Sequence, residues 1–289
     1  MKKGNITPFE YRIKRSINMK EIDSAGLKKI QLNILNEIDA FCKDNNIRYI
    51  LLYGTLLGAV RHKGYIPWDD DIDIGMPRDD YEVFLEKFGT DRYQLLDRTK
   101  DRNYPYAFGK VIDTMTVLKE PSQFDYPNMG VYVDVFAVDG LPDNEDERVK
   151  HARRANQIDH LRIIKSISYN YPVSFKHKLI HFAIKGLLLP ISLSKLLSIE
   201  EKHAKKYSFD TSDYVSVLTI RHVHLYGILK KSYFTDLIDL KFEGHKYKCP
   251  AQYDEYLTTI YGDYMKLPPI NEQVTRHHFD AYYKNSEEN

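Results

Sequence analysis

The chain has 289 residues, of which 43% are hydrophobic and 13% aromatic, so it can bury a sizeable core and is expected to be globular. Its net charge is only +1, and no apolar stretch has the length of an export signal or of a membrane span, which predicts a cytoplasmic protein. Cys42 and Cys249 are the two cysteines and form no Cys-x-x-Cys pair, which argues against a thiolate zinc site and a disulfide framework.

The first strong pattern is a helix followed by a strand. Apolar residues recur at helical spacing over residues 24–43, with Ser24 as a plausible N-cap. A β-prone run at 49–53 then ends at Gly54 and Thr55, a small-residue turn that leads into a short helical pattern. Since backbone N–H groups at a helix N-terminus bind phosphate well, Gly54 and Thr55 are candidate phosphate contacts.

An acidic cluster follows this turn. Strand alternation would place Asp71 and Asp73 on one face with isoleucines behind them. Two neighbouring carboxylates repel each other unless a cation lies between them, and carboxylates are the usual ligands of magnesium. The alternative is a solvated acidic turn, which needs neither the alternating isoleucines nor the preceding glycine. Asp69 and Asp70 are assigned a secondary role: they orient the ligating pair or are simply solvated.

A calcium loop of the EF-hand type is excluded. With Asp69 as its first position, the required glycine falls on Ile74 and the closing glutamate on Asp80.

Later elements supply a third carboxylate. The pattern predicts a helix over 78–88, strands over 93–96, 106–119, 130–138 and 215–220, a hairpin over 238–249, and a helix opened by Pro250 and ending near residue 262. Within 130–138, Tyr132, Asp134 and Phe136 share one face. A lone aspartate here is commonly structural, but after the upstream pair Asp134 is the expected third carboxylate.

Charge is unevenly distributed. The segment 148–206 contains 13 Lys and Arg against three acidic residues, a formal charge of +10 that leaves −9 for the rest of the chain. It is predicted to continue a helix to about residue 169 and then form two short amphipathic helices that meet near Pro190. Such a segment docks on an anionic membrane or lipid-linked acceptor, or packs on the core as a helical subdomain.

The motifs resemble a known family. Residues 57–75, LGAVRHKGYIPWDDDIDIG, resemble the LicD branch of the nucleotidyltransferase superfamily. The likeness continues through 78–81 (RDDY), 133–136 (VDVF) and 261–269 (YGDYMKLPP), and it is weak between about 150 and 210. The expected fold is α+β: a nucleotidyltransferase-like core with a mixed β-sheet flanked by helices, plus a helical basic subdomain. The expected division is a catalytic core at 20–145, the basic subdomain at 146–210, and a part at 211–285 that completes the core and the active-site rim.

This resemblance implies an activity. LicD-like proteins transfer a phospho-alcohol, typically phosphocholine, from a CDP-alcohol donor to a sugar hydroxyl of a cell-surface glycan precursor such as teichoic acid, lipopolysaccharide or capsule. The acceptor would be a glycan or a lipid-linked glycan at the inner face of the membrane, and no nucleic acid partner is expected. The alternatives are transfer of NMP to a small molecule or glycan, and a catalytically silent glycan-binding protein, against which the retained aspartates argue.

The site residues follow from these motifs. Asp71, Asp73 and Asp134 would be catalytic and would hold one or two Mg²⁺ or Mn²⁺ ions. Arg61, Lys110 and Arg276 are further candidates for phosphate contacts, with an ordinary surface charge as the alternative for each. Trp68, the single tryptophan, would shape the substrate pocket or stack on a base, with a packed core aromatic as the alternative.

Overall fold

The computed structural model describes residues 19–119, 126, 129–166, 174–220, 227–275 and 280–284, with backbone alone for 175, 176 and 178. The described strands are β1 Lys20–Ile22, β2 Ile50–Leu51, β3 Asp73–Pro77, β4 Tyr93–Leu96, β5 Gly109–Asp113, β6 Thr116–Lys119, β7 Tyr132–Leu141, β8 Tyr214–Ser216, β9 Leu229–Lys230, β10 Leu237–Phe242, β11 His245–Pro250 and β12 Asp280–Tyr283. The described α-helices are α1 Ser24–Asp44, α2 Tyr53–Arg61, α3 Arg78–Lys87, α4 Glu145–Ser166, α5 Phe175–Leu187, α6 Leu193–Ala204 and α7 Tyr253–Tyr261.

A mixed sheet of seven strands forms the centre of the molecule. Five strands lie in the order β2, β3, β7, β5, β4, and β8 and β9 continue the sheet from β7. β3 and β7 run parallel, whereas β5 is antiparallel to β7. Every residue of β7 is buried, as expected for a strand covered on both faces. The predicted α+β class with a mixed sheet is confirmed.

The register of this sheet aligns three ionisable residues. Asp73 on β3 lies opposite Asp134 on β7, and Lys110 on β5 lies opposite Asp134 from the other side. Residues directly opposite one another on paired strands project to the same face. Two carboxylates and one ammonium group therefore form a row across the middle of the sheet.

Several predicted boundaries differ from the observed ones. The N-cap of α1 is Asp23, whose Oδ1 accepts a hydrogen bond from the Gly26 N–H at 2.7 Å, and not Ser24. The strand predicted at 49–53 is shorter because α2 begins directly at Tyr53. The strand predicted at 106–119 is divided into β5 and β6 by a turn at Thr114 and Met115, and β5 pairs with β7 whereas β6 pairs with β12.

Two more predictions need correction near the C-terminus. The strand predicted at 215–220 ends at Ser216. Pro250 ends β11, and the following helix begins at Tyr253. The hairpin is confirmed: β10 and β11 pair in antiparallel register around Glu243 and Gly244, whose φ values of 49° and 83° suit a two-residue turn that matches the twist of the strands.

One main hydrophobic cluster extends along the chain from Ile22 to Ala281. The first and last described strands pair in a small antiparallel sheet of order β1, β12, β6. Residues after position 211 thus contribute to the same core as the N-terminal part, while the predicted boundaries at 145/146 and 210/211 stay predictions. None of the described helices combines the length and the apolar character that crossing a membrane requires.

Candidate active site

The first turn of α2 lies where β2 ends. Tyr53, with a φ of 42°, begins the helix, so Gly54 and Thr55 belong to its first turn. A Cβ on Gly54 would lie 2.5 Å from Oδ2 of Asp69, so this carboxylate lies against the helix N-terminus, where the helix dipole favours negative charge. The backbone that was predicted to face phosphate faces Asp69 here, and a phosphate contact of Gly54 stays a prediction.

Thr55 organises the start of the acidic strand. Its side chain is buried, and its hydroxyl oxygen accepts a hydrogen bond from the Asp73 backbone N–H at 2.9 Å. The Asp73 carbonyl in turn accepts a hydrogen bond from the Leu52 N–H at 2.9 Å. Thr55 therefore positions Asp73, a structural role that sequence reasoning did not assign to it.

The acidic cluster concentrates negative charge. Within the described ranges, the acidic residues whose carboxylate oxygens all come within 4.8 Å of one another are Asp69, Asp70 and Asp71. The pKa of Asp73 lies well above its ordinary value, because the carboxyl is buried and because Asp71, Asp134 and Asp69 add negative charge nearby. Asp69 and Asp70, given only a secondary role from sequence, are thus full members of the cluster.

Lys110 pairs with the third predicted carboxylate. Its ammonium nitrogen lies 2.5 Å from Oδ1 of Asp134 and is surrounded by aromatic rings, 3.4 Å from the ring centroid of Tyr132 and 4.8 Å from that of Tyr106. Lys110 is only 2% exposed, which excludes an ordinary surface charge. In this structure Lys110 offsets the charge of Asp134, and its predicted contact with phosphate is untested.

A cleft of about 550 Å³ opens beside the acidic cluster. Its size falls within the roughly 300–1,000 Å³ of small-molecule and cofactor sites. Of the predicted site residues, five line it: Gly54, Arg61, Trp68, Asp71 and Asp73. The other three described ones, Thr55, Lys110 and Asp134, lie outside its lining, and Arg276 lies outside the described residues.

Arg61 is oriented on the cleft wall by two hydrogen bonds. Its Nη1 donates to the Tyr264 carbonyl at 2.6 Å, and its Nε donates to His62 Nε2 at 2.9 Å. Burial lowers the pKa of Arg61, but a guanidinium stays charged at neutral pH. Burial and the positive charge of Arg61 also lower the pKa of His62. A fixed cation therefore faces the same cleft as the aspartates.

The loop between α2 and Trp68 is held by the β10–β11 hairpin. Glu243 accepts a hydrogen bond from the Tyr65 N–H at 3.0 Å and donates its own N–H to the Lys63 carbonyl at 3.0 Å. A Cβ on Gly64 would lie 2.1 Å from Oε1 of Glu243. A side chain at position 64 would therefore displace the Glu243 carboxylate, whose hydrogen bond positions the loop that carries Trp68.

Sequence reasoning missed several residues of the cleft. Tyr261, Tyr264 and Lys266 line it and come from the 261–269 motif, which was used only for the resemblance. Their aromatic and basic character was the signal that could have assigned them to a binding site. Glu243 had no such signal, because it is one charged residue in a hairpin turn.

A buried ion pair joins the two parallel strands beyond the carboxylates. Arg78, the first residue of α3 after β3, donates from Nε and Nη2 to the two oxygens of Asp139 on β7, each at 2.6 Å. Both side chains are largely buried, and Asp139 contributes to the raised pKa of Arg78 against the opposing effect of burial. This bidentate contact fixes β3 relative to β7 and so supports the placement of Asp73 beside Asp134.

Comparison with known proteins places this site in a family context. Residues 46–153 match the family model described as LicD/FKTN/FKRP, nucleotidyltransferase domain. The lipopolysaccharide cholinephosphotransferase LicD of Haemophilus influenzae is 32% identical over 269 residues, which cover 91% of this chain and 99% of that protein.

Two further relatives match a smaller share of the chain. An uncharacterized protein of Rickettsia prowazekii is 35% identical over 114 residues, 38% of this chain and 42% of that protein. An uncharacterized protein of Rickettsia typhi is 40% identical over 91 residues, 29% of each chain.

Proposed function

The chain belongs to the LicD family, and from this premise we propose that it transfers phosphocholine, or a close phospho-alcohol, from a CDP-activated donor to a sugar hydroxyl of a cell-surface glycan precursor. The relative from Haemophilus influenzae is named for cholinephosphotransferase activity on lipopolysaccharide, and it matches this chain over nearly its whole length. The acceptor proposed here is a glycan or a lipid-linked glycan of the lipopolysaccharide, teichoic acid or capsule type.

The cleft is the observation that carries this proposal. It brings the carboxylates of Asp71 and Asp73, the cations Arg61 and Lys266, and the ring of Trp68 to one cavity of about 550 Å³. A CDP-alcohol carries an anionic diphosphate, which cationic side chains bind. Its two ends, the cytidine and the alcohol, suit aromatic or polar walls. The two cations are therefore suited to bind the diphosphate, and the carboxylates to hold a divalent cation beside it.

The residues present fit a divalent cation. Oxygen donors from several carboxylates are the set that magnesium and manganese prefer, and burial followed by the nearby charges of Asp71, Asp134 and Asp69 raises the pKa of Asp73. We propose Asp71, Asp73 and Asp134 as its ligands, with Asp69 and Asp70 close by. When bound, the ion supplies positive charge that stabilises the phosphoryl group during transfer.

The protein's own groups would orient the reactants. Arg61, held by the Tyr264 carbonyl, would bind the diphosphate in the cleft that it shares with Asp71 and Asp73. Asp134, which we propose to accept the proton of the sugar hydroxyl, is paired with the ammonium of Lys110. Holding the hydroxyl in line with the distal phosphorus makes CMP the leaving group and the phospho-alcohol the transferred group.

Trp68 is our candidate for contact with the choline head group. Its ring lies on the cleft wall and packs edge-to-face against His62 at 6.3 Å. Cation–π contact with a quaternary ammonium contributes about 0.5–2 kcal/mol, which is roughly a 2- to 30-fold effect on affinity. We expect Trp68→Leu to raise KM for CDP-choline by that factor and to leave KM for CDP-glycerol, which carries no cation, within about twofold. An equal rise for both donors would contradict the assignment.

The direct test supplies CDP-choline, a lipopolysaccharide-type sugar acceptor and magnesium, and measures free CMP together with the acceptor mass. We expect CMP release and an acceptor heavier by phosphocholine. Asp71→Asn and Asp73→Asn should each lower turnover roughly a hundredfold or more, since losing a metal ligand removes several kcal/mol of transition-state stabilisation. Both variants should melt no lower than the unmodified protein, because each removes one of several repelling carboxylates.

Asp91→Asn is the matched control, since Asp91 is an exposed aspartate outside the cleft and its variant should keep full turnover. An acceptor that carries CMP would indicate nucleotidyl transfer instead. If no nucleotide donor, including ATP and CTP, is consumed with either metal, the protein is a silent glycan-binding member of the family.

A further inference from the structure

Helix α5 turns its apolar face outward. Over its described side chains, positions 179, 180, 182, 183 and 187 fall within an arc of about 160° at 100° per residue. All five are exposed, and Leu179, Phe182 and Leu187 are 56%, 69% and 79% exposed. The opposite side of the helix holds His181, Ile184 and Lys185, which are only partly exposed. This orientation is the reverse of a helix that packs its apolar stripe on a core.

The segment after α5 extends the same surface. Leu188 is buried, and its carbonyl accepts a hydrogen bond from the Lys165 ammonium at 2.8 Å, which anchors the end of α5 to α4. Leu189 projects outward again and is 77% exposed. We call Leu179, Ile180, Phe182, Leu187 and Leu189 the α5 apolar face.

Helix α6 shows the ordinary arrangement and serves as an internal comparison. It begins with Ser192 as its N-cap and buries Leu196, Leu197 and Ala204 against the rest of the protein. The two helices come from one leucine-rich stretch. Helix α6 leaves Ile199 39% exposed, whereas four large apolar side chains of α5 are more than half exposed. Large exposed apolar patches rimmed by polar residues mark interaction surfaces.

Charge identifies the partner. The segment 148–206 that contains α5 has a formal charge of +10. A second copy of this chain docked on the α5 apolar face would bring two positively charged segments together, and they would repel each other. An anionic lipid surface attracts such a segment instead. Because α5 has 13 residues, it can lie in a membrane interface but not cross the bilayer.

We propose that α5 binds an anionic membrane surface, with its axis in the plane of the interface and the α5 apolar face inserted among the acyl chains. Basic residues of the same segment then contact lipid head groups. The surface lies outside the lining of the candidate cleft, and the proposal goes beyond the proposed function, because binding to lipid requires no turnover. Its consequence for the protein is that a lipid-linked acceptor and the enzyme would meet on one surface.

The test is flotation of the full chain with vesicles of phosphatidylcholine alone or mixed with phosphatidylglycerol. We expect flotation with the anionic vesicles at low ionic strength and a weaker signal at high ionic strength, since salt screens the head-group contacts. The double variant Phe182→Ser/Leu187→Ser should partition at least tenfold less. Met115→Ser, which changes an exposed apolar residue in the turn between β5 and β6, should float like the unmodified protein.

All substituted residues are exposed, so melting temperatures should stay unchanged and loss of binding will not reflect unfolding. Absence of flotation of the unmodified chain with anionic vesicles at low ionic strength overturns the proposal. Equal flotation of the double variant overturns the assignment to α5. If light scattering shows a dimer that the double variant loses, and vesicles do not bind, the occupant is a second copy. Release of CMP in the absence of vesicles reports on the proposed function separately.

Discussion

Replacing Lys110 by methionine tests the buried ion pair between Lys110 and Asp134. The substitution keeps most of the side-chain volume and removes the ammonium that lies 2.5 Å from Oδ1 of Asp134. Both residues are buried, at 2% and 9% exposure. Removing one partner of a buried pair leaves an uncompensated charge and costs about 3–5 kcal/mol. With Asp73 opposite Asp134 in the register, we expect the upper half of that range.

The assay is urea and thermal unfolding of Lys110→Met, Asp134→Asn and the double variant. At this chain length about 1 kcal/mol corresponds to roughly 2 °C, so Lys110→Met should lower the melting temperature by roughly 8–10 °C. The double variant should recover much of this loss, giving a coupling energy of about 2–3 kcal/mol. Magnesium should stabilise Lys110→Met more than the unmodified protein, because a cation held by Asp134 replaces the missing charge.

The control is Lys150→Met, at an exposed position of α4, which should stay within about 0.5 kcal/mol of the unmodified protein. Additive losses in the double variant would refute the buried pair. An equal effect of magnesium on Lys110→Met and on the unmodified protein would refute Asp134 as a metal ligand.

Three further predictions concern the Arg78–Asp139 pair, Gly64 and the buried His151 of α4. Arg78→Met should destabilise the protein by about 3–5 kcal/mol, and adding Asp139→Leu should recover at least half, as urea unfolding would show; no recovery would contradict the pair. Gly64→Ala should destabilise by about 1–3 kcal/mol, because its Cβ would lie 2.1 Å from Glu243 Oε1, and Glu243→Ala should relieve the added strain in the same assay. Burial, His203 and Lys206 lower the pKa of His151 to about 4, so the free energy of unfolding should fall by up to about 3 kcal/mol as pH falls from 6.5 to 4, and His151→Gln should flatten that slope.

The sign of the His151 effect follows from proton binding. In the unfolded chain His151 has its ordinary pKa of 6.5 and binds a proton near that pH. In the folded chain its pKa is about 4, so it binds the proton only near pH 4. Between these values the unfolded state holds more protons, so acid favours unfolding. Unchanged pH dependence in His151→Gln would assign the slope to other groups.

Much of the chain was predictable because its signals are local. Helices α1 and α3, the β10–β11 hairpin and the two helices on either side of Pro190 follow from periodicity and turn residues over fewer than about 20 positions. The errors were boundaries, where tertiary context overrides local preference. The turn at Thr114 and Met115 divided one predicted strand, and the backbone of Tyr53 began a helix where a strand was expected.

The sequence by itself determined the acidic cluster, the alternation that places Asp134 inside a strand, and the family resemblance, since each depends on neighbouring residues. Only the tertiary structure decided that Lys110 pairs with Asp134 across 24 residues, that Arg78 pairs with Asp139 across 61, and that Glu243 holds Tyr65 across 178. It also decided that α5 faces outward while α6 faces inward, although both have apolar stripes. Periodicity records which side of an element is apolar, but which surface covers that side depends on how distant segments pack.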